Sequence, residues 1–299
     1  MLTKAKWPLF VLLLPGSLII GIIFLLPFVF LVIQSFWTYE SSFVANPIFT
    51  WANYAKLFSD NYYFGVYLRT VKISLISTAI TLILAYPLAR FISRLRSGLK
   101  GFLISLVALP MIGGAMIQTM GWMAMMMRYG MLNGILMGLG LAKEPVAFLG
   151  TELGIVIGLV QSFIPLMVLP LVASLGAIDI SLEEAAKSLG ANSRRTFFEI
   201  VFPLSIPGAI SGTILTLMMN LTMFVTPSIL GQNKIMVFGT IAYQQAISVG
   251  NWPFASAFAI FFILSVGILA FLASALTKSL QKVMAKNLKS EHQTNGVEL

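Results

Sequence analysis

The sequence predicts an all-α integral membrane protein with six transmembrane helices and a short charged helical loop between helices four and five. Three observations carry that expectation. Of 299 residues, 58% are hydrophobic and only 10% charged, with a mean hydropathy of +0.93, outside the range of soluble domains. The apolar residues gather into six long runs free of Asp, Glu, Lys, Arg and His. The basic residues, in turn, collect on alternate loops between those runs.

The runs are Leu9 to Phe36, Ile73 to Ala89, Gly101 to Met127, Leu153 to Ile178, Ile200 to Gly231 and Ile235 to Thr277. A helix needs about 20 apolar residues to cross the hydrocarbon, so each of the first five predicts one span. The last holds one span and a broken lead-in, because Gly250, Asn251, Trp252 and Pro253 are loop-forming and interfacial types. Lys4 and Lys6 precede the first run, but its length and the lack of a small-x-small site argue for an uncleaved helix rather than a signal peptide.

Orientation follows the Lys and Arg bias. With the N-terminus in the cytoplasm, the cytoplasmic segments hold 13 of the 19 basic residues, among them Lys4, Lys6, Arg90, Arg94, Arg96, Lys100, Lys187, Arg194, Arg195, Lys278 and Lys282. The opposite side keeps Lys56, Arg69, Lys72, Arg128, Lys143 and Lys234, with Glu40, Asp60, Glu144 and Glu152 among them. The net charge of +9 is thus a topology signal, and no basic stripe interleaved with exposed aromatics points to nucleic acid. The expected organisation is a cytoplasmic N-terminus at 1–8, one six-span domain at 9–278 and a polar cytoplasmic tail at 279–299.

Several chemistries are excluded. The chain has no cysteine, which removes disulfides, thiolate metal sites and thiol nucleophiles. Spans without ionisable residues give a coupling proton or sodium ion nothing to bind, and the one histidine, His292, lies in the tail. No stretch fits the G-x-x-x-x-G-K-[ST] phosphate cradle; the glycines of Gly134 to Glu144 lack its Lys-Ser or Lys-Thr ending. No catalytic residue and no metal site are expected. Uphill transport by this chain would need energy from another subunit.

The loop between runs four and five departs from all this. From Glu183 to Pro203, "EEAAKSLGANSRRTFFEIVFP", three Lys or Arg and three Glu crowd together. Ser181 followed by Glu184 is a capping-box pattern that starts a helix at Leu182. Leu182, Ala185, Ala186 and Leu189 make one narrow apolar stripe, and Gly190 supplies a left-handed end. Asn192 or Ser193 can cap a second helix over Arg194 to Val201, which must end or bend before Pro203. Helices this short need a surface to pack on: a groove on a partner or the chain's own bundle.

This stretch resembles the "EAA" loop of permease subunits of binding-protein-dependent ABC importers, with Glu184, Ala185, Ala186, Gly190, Ile200 and Pro203 at the spacing of that motif. "FTWANYAKLFSD", "YPLARFISRLRS", "FVTPSILGQ" and "GNWPFASAFAI" are similar, in order and spacing, to the spermidine/putrescine branch of that family, covering most of Phe49 to Ala275. Gln232 stands where relatives commonly have a second glycine. The resemblance implies that the loop, 179–203, is a coupling helix docking on a cytoplasmic ATPase, with Ser181 and Leu189 beside the motif residues. It further implies a second permease subunit, a pair of ATPase subunits carrying the ATP and Mg, a periplasmic or lipid-anchored binding protein, a bacterial inner-membrane location with both termini cytoplasmic, and import of a polyamine or similar organic amine.

Neutral polar residues within the runs are the candidates for touching a solute: Gln118, Thr119, Gln161, Ser162, Asn220, Thr222 and Thr226, with the aromatic faces of Trp122 and Phe224 for a cation. Each could equally join helices to one another. Pro227 should break or kink the fifth span. The alternative function is a channel or facilitator that works without an ATPase.

Overall fold

The computed structural model describes residues 6–269 and 271; the expected tail at 279–299, with His292, lies outside them. In chain order, α1 (Lys6–Gln34) leads to an antiparallel hairpin, β1 (Thr38–Ser41) and β2 (Val44–Asn46), then α2 (Ala52–Ser59) and α3 (Asn61–Ser93). The bent pair α4 (Ser97–Ile112) and α5 (Ala115–Met126) precedes α6 (Met131–Gly138) and α7 (Glu152–Gly176). The loop helices α8 (Ile180–Ser188) and α9 (Ser193–Thr196) follow. A π turn over Phe197–Val201 joins α9 to α10 (Phe202–Thr222), and α11 (Val225–Leu230), α12 (Phe238–Tyr243) and α13 (Trp252–Leu269) complete the series.

Five stretches are long and apolar enough to cross a membrane: Leu14–Gln34 of α1, α3, α7, the continuous Ser193–Thr222 and α13. The third apolar run is not one straight helix. It breaks between α4 and α5 with a bend of 95°, because Gly113 and Gly114 follow Pro110 and Gly114 takes a left-handed φ of +73°. The sixth span begins as expected: Gly250 has φ +74°, Asn251 Oδ1 accepts from the Phe254 amide at 3.1 Å, and Pro253 sits in the first turn, where its missing N–H costs nothing.

Contacts divide the chain into two units. One is built from the chain up to Gly65 and Ile241–Ser265. In it Ser256 hydrogen-bonds Gln34 of α1 at 3.0 Å, Asn53 of α2 ties the carbonyls of Ser35 and Trp37 at 2.9 Å each, and the Lys56 ammonium lies 4.9 Å from the Phe254 ring centroid.

The other unit, with Val66–Thr240 as its body, carries every candidate site residue. Its axis is α7, where Ile155, Leu159, Met167, Val168, Leu171 and Leu175 are almost wholly buried, with α10, α4 and α11 against it. The α7–α10 contact is close because Gly208 and Gly212 face α7. A Cβ on Gly208 would stand 2.4 Å from Ser174 Cβ and 2.7 Å from the Pro170 carbonyl, and one on Gly212 would stand 2.9 Å from Met167 Sδ. "GAISG", Gly208 to Gly212, is a small-xxx-small signature of membrane helix packing.

Ion pairs tie α3 to its neighbours at both ends. Near one end Lys72 Nζ is 2.6 Å and Arg69 Nε 3.6 Å from the Glu152 carboxylate at the start of α7. Near the other, Arg90 and Arg94 grip Glu183 of α8. From Lys72 to Arg90 the helix rises about 27 Å, close to the hydrocarbon thickness of about 30 Å.

Gly208→Val should therefore destabilise the α7–α10 contact by about 1–3 kcal/mol, read as a lower thermal unfolding temperature in detergent. Gly101→Val, where a Cβ meets nothing within 4 Å, should leave that temperature unchanged.

Candidate functional site

The loop between α7 and α10 forms the two expected short helices with one change at its start. Asp179, not Ser181, is the N-cap: its Oδ1 accepts from the Ser181 amide at 2.9 Å. α8 thus begins at Ile180 rather than Leu182, and the capping box of Ser181 with Glu184 does not form. Asp and Ser rank alike as caps, but an ionised carboxylate accepts a stronger hydrogen bond and complements the helix dipole. The Ser181 amide in turn holds the Asp179 carboxyl below its ordinary range.

The far end matches the expected chemistry. Gly190 has φ +87°; its amide donates to Lys187 O and the Ala191 amide to Ala186 O, both at 3.0 Å, which is the paired pattern of a Schellman end. A Cβ on Gly190 would meet nothing within 4 Å, so the backbone angle alone calls for glycine. Asn192 Oδ1 accepts from the Arg195 amide at 2.8 Å and caps α9. The chain does not stop before Pro203. It passes through the π turn and runs on as one helix to Thr222, the wider turn accommodating the missing Pro203 amide. Val201 is fully buried, and the Tyr86 hydroxyl meets Ser205 Oγ at 2.6 Å.

α8 buries no residue. Its apolar stripe faces outward, with Leu182 45% and Leu189 89% exposed, and Ala185 and Glu184 are exposed too. The opposite side holds Glu183, which the sequence analysis did not single out. Arg90 Nη1 and Nη2 donate to its two carboxylate oxygens at 3.0 and 2.6 Å, Arg94 Nη2 donates to Oε1, and Arg94 Nη1 reaches the Ile178 carbonyl at 3.2 Å. The sequence did hold a signal: two arginines one helical turn apart, four residues from each other, at the loop end of span two.

Among the solute candidates, Gln118 Nε2 donates to Gln161 Oε1 at 2.7 Å, and Gln161 Nε2 to Ser162 Oγ at 2.8 Å. Thr226, fully buried, lies 3.1 Å from Thr119 Oγ1, and Asn220, 2% exposed, donates to Thr78 Oγ1 at 3.0 Å. Trp122 is half-buried against the α7 core. Thr222 is exposed and its hydroxyl turns back on the Met218 carbonyl at 3.0 Å. Phe224 is 39% exposed. Gln118, Gln161, Asn220 and Thr226 therefore join helices, whereas the Thr222 hydroxyl bonds only within its own helix. The partners Thr78 and Thr119 have no sequence pattern that would pair them in advance.

The fifth run breaks at Met223, which is extended (φ −70°, ψ 129°), and resumes at Val225. Met223 is four residues before Pro227, the position whose carbonyl a proline ring displaces. Gln232 takes φ +48° and Asn233 +56°, a left-handed conformation that explains why glycine suits position 232.

Hydrogen bonding by Arg90, against the opposing effect of desolvation, holds the Glu183 carboxyl below its ordinary value of 4.5. A depressed folded-state pKa contributes stability that is present above the ordinary value and lost as pH falls through the folded one. A spin label on α8 at Lys187→Cys should thus give an unchanged spectrum from about pH 8 to about pH 5 and become mobile only at more acid pH. Asn220→Leu should remove the Thr78 bond at a cost of about 0.6 kcal/mol, up to about 1.7, measurable as a small loss of thermal stability.

Comparison with known proteins agrees with this architecture. The chain is 32% identical over 93% of its length, and 92% of the relative's, to the spermidine/putrescine transport system permease protein PotB of Haemophilus influenzae. It is 31% identical to PotB of Escherichia coli over 89% of this chain and 92% of that one. Its fold matches a chain of a bacterial alginate ABC transporter with a TM-score of 0.71, at 19% identity, covering 93% of this chain and 96% of that chain. Residues 77–286 match the family of binding-protein-dependent transport system inner membrane components, and the chain belongs to that family of ABC importer permeases.

Proposed function

We propose that this permease subunit imports a polyamine, such as spermidine or putrescine, across a bacterial inner membrane. The full-length likeness to PotB carries the reading. Oxygen acceptors suit an ammonium group. Asn220 Oδ1, Ser77 Oγ and Thr216 Oγ1 are buried without a hydrogen-bond partner among the described residues, and solute N–H groups would satisfy them once the spans part. Thr222 and Phe224 would line the route beside the broken helix, where an aromatic face attracts a cation, while Gln118, Trp122, Gln161, Asn220 and Thr226 support it.

In this reading the loop end of the molecule faces the cytoplasm. Arg90, Arg94, Arg96, Lys100, Lys187, Arg194 and Arg195 gather there, as the positive-inside bias requires. The outward stripe of α8, from Leu182 to Leu189 with Glu184, Ala185 and Ala186, docks on a cytoplasmic ATPase dimer that binds the ATP and Mg. The Gly190 corner sets the angle of approach, and Ile200 and Pro203 seat the loop on α10. A second permease subunit completes the pore, and an extracytoplasmic binding protein delivers the solute.

Cysteines introduced at Ser97 and Ser188 should be shielded from an impermeant thiol reagent outside intact cells, while those at Ser42 and Lys143 should label; labelling of Ser188 would reverse the orientation. Gly190→Asp should insert normally, because a left-handed residue other than glycine costs only about 1–2 kcal/mol, yet lose the co-purifying ATPase. An active pore isolated without any ATPase would favour a channel instead. Cells producing the complex should take up radiolabelled spermidine or putrescine, and no uptake of either at normal complex yield would exclude the polyamine assignment.

A further inference from the structure

The attachment of α8 to the spans is unusual in kind. Its apolar stripe is largely open, with Leu182 and Leu189 exposed and Ala186 half-buried, and among the described residues Glu183 is the α8 side chain that hydrogen-bonds a span. Beyond its chain connections and its contacts with α9 and the π turn, one carboxylate holds it to α3. That carboxylate is gripped from two sides. The planar fork of Arg90 fixes the direction of the Glu183 carboxylate, and Arg94 closes on Oε1 while also binding the Ile178 carbonyl just past the end of α7. The three side chains are only 12%, 26% and 23% exposed, so salt screens them weakly.

We propose that Glu183, held by Arg90 and Arg94, is a positioning residue that makes α8 and the adjoining end of span two move as one body, delivering a displacement of the docking helix directly to α3. The proposal rests on the reading of α8 as the ATPase-docking helix. Without the clamp, a push on α8 would be taken up by its flanking connections, Ala177–Asp179 and the Gly190 corner. With it, the push reaches a helix of 33 residues that is tied to Glu152 at its other end. Two guanidiniums on one carboxylate also mean that removing Glu183 leaves two like charges facing each other, so the joint opens instead of relaxing in place.

The test uses the purified complex of permease and ATPase, with spin labels at Phe91→Cys on α3 and Lys187→Cys on α8, both exposed, in a chain without native cysteine. The interspin distance should be single and narrow, and should stay the same when Mg·ATP binds. Glu183→Gln should broaden it and make it shift with Mg·ATP while the ATPase remains bound and hydrolyses ATP. The exchange Arg90→Glu with Glu183→Arg should restore a narrow distance, which a side chain needed only for folding would not do. A wild-type distance that shifts with Mg·ATP overturns the proposal. So does a Glu183→Gln distance as narrow and unmoved as the wild type, or loss of the ATPase from that variant, which would make Glu183 part of the docking surface. Leu189→Asp separates the two readings: full retention of the ATPase by that variant removes the docking role of α8, and the nucleotide-free distances still decide the clamp.

Discussion

Hydrocarbon accepts and donates no hydrogen bonds, so a polar group carried into it is costly unless it finds a partner inside the protein. The backbone meets this requirement by forming helices, and most buried polar side chains meet it by pairing across them, Ser77 Oγ, Thr216 Oγ1 and Asn220 Oδ1 being the exceptions among the described residues of the spans. Gln118 with Gln161, Thr119 with Thr226, Thr78 with Asn220 and Tyr86 with Ser205 are all pairs of this kind. The charged groups obey the same constraint by staying at the ends. Glu152 meets Arg69 and Lys72, and Glu183 meets Arg90 and Arg94, with a charge-free length of α3 between them that matches the hydrocarbon.

Association of helices in such a medium depends on close packing rather than on expulsion of water. α7 therefore occupies the middle of its unit, and Gly208 and Gly212 let α10 approach it to backbone distance. Where the helices break, the backbone loses its own partners. The breaks fall at Gly113–Gly114 and at Met223, the second beside Thr222, Phe224 and Thr226. An intact helix offers its surroundings only side chains, whereas a broken one also exposes carbonyls.

The loop is held on different terms. Its caps, Asp179 and Asn192, are local hydrogen bonds worth about 1 kcal/mol each; they shape α8 and α9 without attaching them. Attachment comes from buried Val201 and Thr196 near the π turn and from the Glu183 clamp. α8 thus has two unlike faces, an exposed apolar stripe on one side and a carboxylate anchored to the spans on the other.

Hydropathy, the charge bias and the Glu184-Ala185-Ala186 to Pro203 spacing were enough to reveal the spans, the loop and the family, because these depend on solvent preference and on residues near one another in the chain. The Gly190 corner and the Asn192 cap were legible for the same reason: a left-handed angle and a free amide are local demands. The start of α8 was misjudged because Asp179 and Ser181 offer nearly equal caps and the sequence does not rank them. Gly113–Gly114 could have been read as a break, but glycine is also tolerated in membrane helices, so composition alone left the bend open. The partners Thr78 and Thr119, the glycine contact of α10 with α7 and the grip of Arg90 and Arg94 on Glu183 join residues 34 to 142 positions apart. Only the packing of the spans brings such residues together, because the register between two helices is set by their surfaces and not by either sequence alone.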